Sequence, residues 1–375
     1  MMMNNQNIPQ SKTVVRRPND PFLYLLVGNE WFCYNPSEPP LGGGAMGDVY
    51  RGYRCNDGSV VAIKRVKDAY ANNSMIRSRA RQEASCAFRH QNLIEMIGCC
   101  EMYPTFGPIF LVSKYVNGTN LDKYVQSITD GPRKLELVCR AVMTVLDALD
   151  YIHSRGVVHR DIKPSNIMVE DNSSFRLMDL GIARMNGGNK FSHDGFIGTP
   201  QYSAPEQISR KEGVSVQINA TTDIYGLGIT FYELLTGKNP MEAKSDAETL
   251  ANQMNQSLPS DPFIPSRIMN VIWLATEKEQ SKRFQTAQEF QQALKQALLP
   301  ESYPRVKKVL RMMKWILLPC VILSLLALLE ASTRADGMNS GGYAIVFFAL
   351  SLTAADACLF VFNRQWHGLI DRYIK

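Results

Sequence analysis

The sequence predicts a two-lobed α+β fold, a small strand-rich lobe ahead of a larger helical one, followed by an apolar helical hairpin. Three observations predict it. Two strand-like runs flank a turn early in the chain, a long helical repeat of apolar residues occupies its middle, and two apolar runs lie near its end. The first pair is Val49–Tyr53 and Val60–Lys64, with Asn56-Asp57-Gly58 as the turn between them. Ser74–Phe88 reads as a helix and Ile109–Val112 as a strand. Val138, Val142, Val145, Leu149 and Ile152 recur at steps of three and four, so Leu135–Ser154 reads as a core helix. No internal repeat is visible.

Composition bounds what such a chain does. At 375 residues and 45% hydrophobic content it is long enough for two lobes with a sizeable core. The net charge of +6 is mild and much of it sits in one cluster near the C-terminus, which argues against nucleic-acid binding. Eight cysteines are scattered, with one adjacent pair, Cys99-Cys100, and no C-x-x-C. That pattern disfavours a zinc site or a disulfide framework and fits a reducing compartment. Met1–Asp20 is polar, lacks the apolar core of a signal peptide and is expected to be disordered.

Four motifs carry chemistry. His159-Arg160-Asp161-Ile162-Lys163-Pro164-Ser165-Asn166 places a carboxylate, an ammonium and an amide close together. Phosphoryl transfer from a nucleotide needs these three groups: one orients the attacking hydroxyl, one stabilises the transferred charge and one holds a metal ion. Gly42, Gly44 and Gly47 form G-x-G-x-x-G ahead of Val49. Glycines let backbone N–H groups approach phosphates closely. Here they precede a strand, which excludes the dinucleotide fold, where they open a helix. Lys64 ends the run Val61-Ala62-Ile63-Lys64, and after a glycine-rich hairpin a phosphate-binding role outweighs a surface one. Glu83 is its candidate counter-ion, although pairing with Arg79 on the same helix is the alternative. Asp179 of Asp179-Leu180-Gly181 supplies a second oxygen ligand beside Asn166, enough for magnesium when phosphates supply others.

With these motifs in this order, the chain resembles a Hanks-type, eukaryotic-like protein kinase, most in the style of bacterial membrane-anchored Ser/Thr kinases. The resemblance implies the two-lobed kinase fold, with ATP and Mg2+ as cofactors and protein Ser/Thr hydroxyls as substrates. It implies that Leu41, Gly42, Gly44, Gly47, Val49, Ala62, Lys64, Glu83, Lys114 and Val116 bind ATP. Asp161 is then the catalytic base and Lys163 contacts the γ-phosphate. Asn166 and Asp179 hold the metal. Gly198–Glu206 resembles the end of an activation segment, with Ser192 and Thr199 as its hydroxyls. Glu206 pairs with Arg283 and Asp223 braces the catalytic loop. Leu180 replaces the family's usual Phe, Lys114 stands in a hinge that is usually acidic, and Ser113 is a small gatekeeper. A homodimer is the expected arrangement for autophosphorylation. The alternative is a pseudokinase scaffold that binds nucleotide without transfer. The intact set Lys64, Glu83, Asp161, Asn166 and Asp179 argues against that, and Gly198–Glu206 against a small-molecule phosphotransferase.

The expected organisation is a tail, 1–20; a kinase domain, 21–299, with lobes at 21–113 and 117–299; a basic segment, 300–314; spans at 315–332 and 343–362; and a tail, 363–375. Trp315–Leu329 carries no charged residue, and Tyr343–Phe362 is broken only by Asp356. A spanning helix needs about twenty residues. Arg305, Lys307, Lys308, Arg311 and Lys314 precede the first run, and Arg364, Arg372 and Lys375 follow the second. Basic flanks stay cytoplasmic. The sequence therefore predicts a multi-pass membrane protein with the kinase domain in the cytoplasm. A buried hairpin packed on the kinase is the alternative.

Overall fold

A computed structural model describes residues 13–44, 47–70, 77–78, 80–81, 84, 88–102, 107–171, 174–179, 199–208 and 217–299. Met1–Leu294 forms one compact unit and Lys295–Lys375 a second. The strands of the first lobe are β1 (Val14–Arg16), β2 (Leu23–Val27), β3 (Glu30–Tyr34), β4 (Gly42–Gly43), β5 (Gly47–Arg54), β6 (Val60–Val66), β7 (Met96–Glu101) and β8 (Ile109–Lys114). They pair antiparallel in the order β1-β2-β3-β5-β6-β8-β7, with β4 beside β5. Alternate residues turn inward, as the two-residue period of a strand requires. Leu25, Phe32, Tyr34, Ile63, Phe110 and Val112 are fully buried in one cluster with Val14, Val61 and Cys100.

This sheet curls until its two edges meet. The Thr13 hydroxyl donates to the carbonyl of Glu101 at the end of β7, and Cys100 Sγ donates to Thr13 O at 3.2 Å. The edge is thereby covered. Residues 13–20, expected to be disordered, thus belong to the fold. Asp20 accepts from Phe22 N at 2.9 Å and from the Tyr24 hydroxyl at 2.8 Å, which fixes the turn from β1 into β2. The β2–β3 turn rests on Gly28, whose φ of +58° suits glycine.

In the region read as a helix over Ser74–Phe88, helical backbone is described at Arg77, Ser78, Ala80, Arg81 and Ala84, and Phe88 is already outside the helix. Glu83 lies outside the described residues. Arg77 and Arg81 both bind the Glu101 carboxylate, Arg77 Nη2 at 2.6 Å and Arg81 Nη2 at 3.0 Å. This ties the helix to β7.

The second lobe contains α1 (Leu121–Gln126), α2 (Gly131–His153), α3 (Pro205–Ile208), α4 (Ala220–Thr236), α5 (Asp246–Asn255), α6 (Ser266–Ala275) and α7 (Ala287–Ala297). Strands β9 (Gly118–Asn120), β10 (Ile167–Glu170) and β11 (Ser174–Leu177) form a small sheet in the order β11-β10-β9. Helix α4 is buried along nearly its whole length and packs on α2 and α6. Asn219 caps it by accepting from Thr221 N, and Gly237 ends it at φ +76°. Gly228 permits the close approach of α6, since a Cβ there would lie 2.6 Å from Thr276 Cγ2. The two lobes join through backbone bonds between Ile94 N and Leu177 O at 3.0 Å and between Leu177 N and Asn92 O at 2.8 Å.

Among the described residues, no helix is long and apolar enough to cross a membrane. The two expected spans, 315–332 and 343–362, lie outside the described residues.

Phe32 tests whether the N-terminal strands are integral. It is fully buried on β3, and truncation of such a side chain costs about 3–5 kcal/mol. Phe32→Ala should lower the urea midpoint of the first lobe accordingly. A loss below about 1 kcal/mol would mean that the strand merely decorates the lobe.

Candidate active site

The loop between α2 and β10 is held from beneath by one buried carboxylate. Asp223, in the first turn of α4, is 1% exposed. Its Oδ1 accepts from Arg160 N at 2.6 Å, and its Oδ2 accepts from His159 N at 2.8 Å. His153 Nε2, at the end of α2, lies 2.8 Å from the same Oδ2. Burial pushes the Asp223 carboxyl up, but the His153 hydrogen bond and charge and the Arg160 N–H outweigh it and hold it below the ordinary value. The anion in turn fixes Arg160 at φ +66°, a conformation that costs a non-glycine residue about 1–3 kcal/mol.

His159 transmits this order to Asp161. Its fully buried ring donates from Nε2 to Met178 O at 2.9 Å and accepts at Nδ1 from Asp161 N at 3.3 Å. Those two bonds require the neutral, Nε2-protonated ring, and burial lowers the pKa of His159 in the same sense.

The side chain of Asp161 sits in a compact cluster. Its Oδ1 accepts from Thr199 Oγ1 at 2.8 Å, and its Oδ2 lies 3.1 Å from Lys163 Nζ. Lys163 Nζ also donates to Thr199 Oγ1 at 3.0 Å. Asn166 Nδ2 donates to Asp161 O at 2.8 Å and to Asp161 Oδ2 at 3.2 Å. With its amide nitrogen so engaged, the oxygen of Asn166 is the end left to act as a ligand. The structure thus brings Asp161, Lys163, Asn166 and Thr199 together.

Lys64 and Asp179 form the facing pair, Nζ to Oδ2 at 3.0 Å. The charge and hydrogen bond of Lys64 hold the Asp179 carboxyl below its ordinary value. Asp179 is held at φ +47°. Glu83, the expected partner of Lys64, and Ser192, Leu180 and Gly181 lie outside the described residues. The glycine-rich segment is a hairpin in which Gly42 pairs with Val49, and Gly44 N donates to Gly47 O at 2.9 Å. A Cβ at Gly47 would run into the Arg65 carbonyl. Val49 pairs with Lys64 and Ala62 with Ser113, which aligns the hairpin with the lysine strand. Leu41 is half-exposed at the hairpin base, Val116 is buried, and Lys114 N donates to Glu95 O at 2.9 Å.

Asn166 and Asp179 offer an amide oxygen and a carboxylate, the hard oxygen donors that suit magnesium. Among the described residues no cluster of three or more acidic, His or Cys side chains stands ready to hold a metal. An ion at this pair would draw its other ligands from phosphate and water. The residues present fit that arrangement.

A second network anchors the segment that follows Thr199. Glu206 and Arg283 form a bidentate pair at 2.8 Å and 2.8 Å, both side chains at most 4% exposed. Removing one partner of such a pair costs about 3–5 kcal/mol. Gln253 Nε2 donates to Pro200 O at 3.3 Å, and the Tyr225 hydroxyl donates to Gln253 Oε1 at 2.7 Å. Lys278 Nζ donates to Tyr225 Oη and to Gln253 O, both at 2.8 Å. Sequence reasoning missed His153, Gln253 and Lys278. Each acts through a partner far along the chain, and none sits in a motif.

A family model described as protein kinase domain matches residues 36–309. The chain is similar to the serine/threonine-protein kinase PrkC of Bacillus subtilis, 30% identical over 264 residues, which cover 68% of this chain and 39% of that protein. It is 32% identical over 263 residues to a probable serine/threonine-protein kinase, SCO3848, of Streptomyces coelicolor, covering 67% and 38%. It is also 32% identical over 263 residues to the serine/threonine-protein kinase PknB of Mycolicibacterium smegmatis, covering 66% and 40%. The chain spans about two fifths of the length of these relatives.

Lys278 gives the site a measurable pH signature. Burial and the neighbouring Arg283 lower its ammonium from 10.5 to about 8. Between those values the unfolded chain keeps a proton that the folded chain has released, so stability rises with pH through the window. The contribution is complete above 10.5 and lost as pH falls through about 8. Urea midpoints at the two ends of that window should rise in the wild type relative to Lys278→Met. Parallel profiles would mean that the folded amine titrates normally.

Proposed function

Because the chain belongs to the protein kinase family, we propose that it is an ATP-dependent serine/threonine protein kinase held at a membrane by its C-terminal hairpin. The observation that carries this reading is the contact set of Asp161, Lys163, Asn166 and Thr199 opposite the Lys64–Asp179 pair.

Each group has a step to perform. Asp161 Oδ1, which now accepts the Thr199 hydroxyl, is an oriented acceptor for the hydroxyl of a substrate Ser or Thr. As that oxygen bonds to the γ-phosphorus, its proton passes to Asp161 and the bond to the β-phosphate oxygen breaks, releasing ADP. Lys163, beside Asp161, balances charge on the transferred group. Lys64 exchanges its Asp179 contact for the α- and β-phosphates. Magnesium, held by Asn166 and Asp179, would neutralise phosphate charge when bound. The backbone of the Gly42–Gly47 hairpin would cover the phosphates. Ser192 and Thr199 are the candidate hydroxyls for autophosphorylation between two copies. Thr199 is already engaged by Asp161 and Lys163, which favours Ser192 as the switch.

The membrane reading rests on the uncharged run Trp315–Leu329, the run Tyr343–Phe362 and their basic flanks. It places the kinase domain and Lys375 on the cytoplasmic side.

Asp161→Asn keeps the shape of the side chain but cannot take the proton. It should reduce peptide phosphorylation by about a thousand-fold, with nucleotide binding retained. Retention of more than about a tenth of the wild-type rate would remove Asp161 from the role of base. For topology, a cysteine at Ser340 should react with an impermeant thiol reagent outside intact cells, and one at Gln365 should not. The opposite pattern would invert the orientation, and a full chain that stays soluble without detergent would favour a buried hairpin.

A further inference from the structure

We propose that Gln253 is a positioning residue for the protein substrate: it holds the segment after Thr199 in the shape that receives the acceptor peptide. The proposal rests on the kinase reading and adds a residue to it. Gln253 lies on α5 and is fully buried. Its Nε2 donates to two successive carbonyls, Pro200 O at 3.3 Å and Gln201 O at 2.5 Å. An amide nitrogen has two hydrogens, and both are used. Asn239 Nδ2, from the stretch after α4, donates to the same Gln201 O at 3.1 Å. The Ser203 hydroxyl donates to Thr199 O at 2.9 Å. Side chains therefore fix three carbonyls in a row.

The direction of the Gln253 amide is set from behind. Lys278 Nζ can only donate, and it donates to the Tyr225 hydroxyl oxygen at 2.8 Å. That leaves the Tyr225 proton for Gln253 Oε1, at 2.7 Å. With its oxygen so engaged, Gln253 presents its nitrogen to the segment. Lys278 Nζ also donates to the backbone carbonyl of Gln253 at 2.8 Å. Helix α5 is itself held in place, since Ala243 N donates to Thr249 Oγ1 at 3.0 Å and Asn252 Nδ2 to Met241 O at 3.1 Å. A chain of donors thus runs from Lys278 through Tyr225 and Gln253 to the segment.

The place of this segment decides which substrate it serves. Thr199 Oγ1 donates to Asp161 Oδ1 at 2.8 Å, the oxygen that is to take the substrate proton. Asp161 Oδ2 is occupied by Lys163 and Asn166. A Ser or Thr hydroxyl must therefore reach Oδ1 beside Thr199, and the peptide that carries it lies along the residues that follow. Releasing the Pro200 and Gln201 carbonyls deforms that surface. Nucleotide is met elsewhere, by Lys64 on β6 and Asp179 beyond β11. A loss at Gln253 should fall on the protein substrate and spare the nucleotide.

The test uses the full chain and two variants. Gln253→Met keeps the length of the side chain but has no donor, and Tyr225→Phe removes only the hydroxyl behind Gln253. Myelin basic protein serves as the phosphate acceptor and a fluorescent ATP analogue as the nucleotide probe. Gln253→Met should raise the KM for the acceptor by about tenfold or more. The Kd of the analogue should stay within about twofold of wild type. Tyr225→Phe should move the acceptor KM in the same direction. The double variant should be no worse than Gln253→Met alone, because both act through one chain of donors. Amide hydrogen exchange over Gln201–Ala204 should quicken in both variants while α2 stays protected. A merely structural role would lower kcat and the folded fraction and leave both constants in place, which would overturn the proposal. Equal loss of affinity for acceptor and nucleotide would overturn it too, and additive losses in the double variant would break the link through Tyr225. If Gln253→Met does not fold, Tyr225→Phe decides by the same two constants. A wild-type chain that binds the analogue but phosphorylates neither the acceptor nor itself would refute the kinase reading, and the substrate role with it. Unchanged exchange over Gln201–Ala204 in the variants would refute the clamp whatever the activity.

Discussion

The buried carboxylate of Asp223 is the constraint on which the rest of the site depends. It takes the backbone N–H groups of His159 and Arg160 and the ring of His153, three donors from two segments. Without an anion there, Arg160 has no compensation for its left-handed backbone. Without that backbone turn, His159 would not reach both Met178 O and Asp161 N. The charge is affordable at 1% exposure because its hydrogen bonds favour the ionised form. Helix α4, which carries it, is capped at both ends and packed on two sides. The site is therefore as rigid as the core of the second lobe.

Two ion pairs of opposite character frame this centre. Glu206 and Arg283 are sealed from water, and their guanidinium donors are further satisfied by Thr221 O and Lys278 O. Such a pair holds one geometry, and here it fixes where the segment after Thr199 begins to fold back into the lobe. Lys64 and Asp179 are about one quarter and one half exposed. A pair in partial contact with water exchanges partners at little cost. That difference suits one pair to architecture and the other to ligand exchange.

How much of this the sequence revealed depends on how local the signal is. The Val49–Lys64 hairpin and the helix around Leu135–Ser154 are written in patterns within a single window, and the structure has strands and a helix there. The residues of the H-R-D motif and Asp179 announced themselves by type and spacing. The strands β1 to β3 did not register, although Gly28-Asn29 between Leu23–Val27 and Glu30–Tyr34 has the form of a two-residue hairpin turn. The polar tail ahead of them masked the alternation. His153, Gln253 and Thr13 were not legible at all. Their partners, Asp223, Pro200 and Glu101, lie 70, 53 and 88 residues away, and no local pattern encodes such meetings.

The closure of the first sheet sets an order on how the chain can fold. Strands β1 to β3 are synthesised before the rest of this lobe, yet the partner that covers their edge, Glu101, arrives 88 residues after Thr13. Until then the apolar faces of Leu25, Phe32 and Tyr34 have no complete core to enter. Contacts this distant in sequence slow folding, because a long loop must be closed before they form. The lobe thus has a long interval between making its first strands and sealing them. In that interval a nascent chain is most in need of a chaperone, or most exposed to pairing with a neighbour of its own kind.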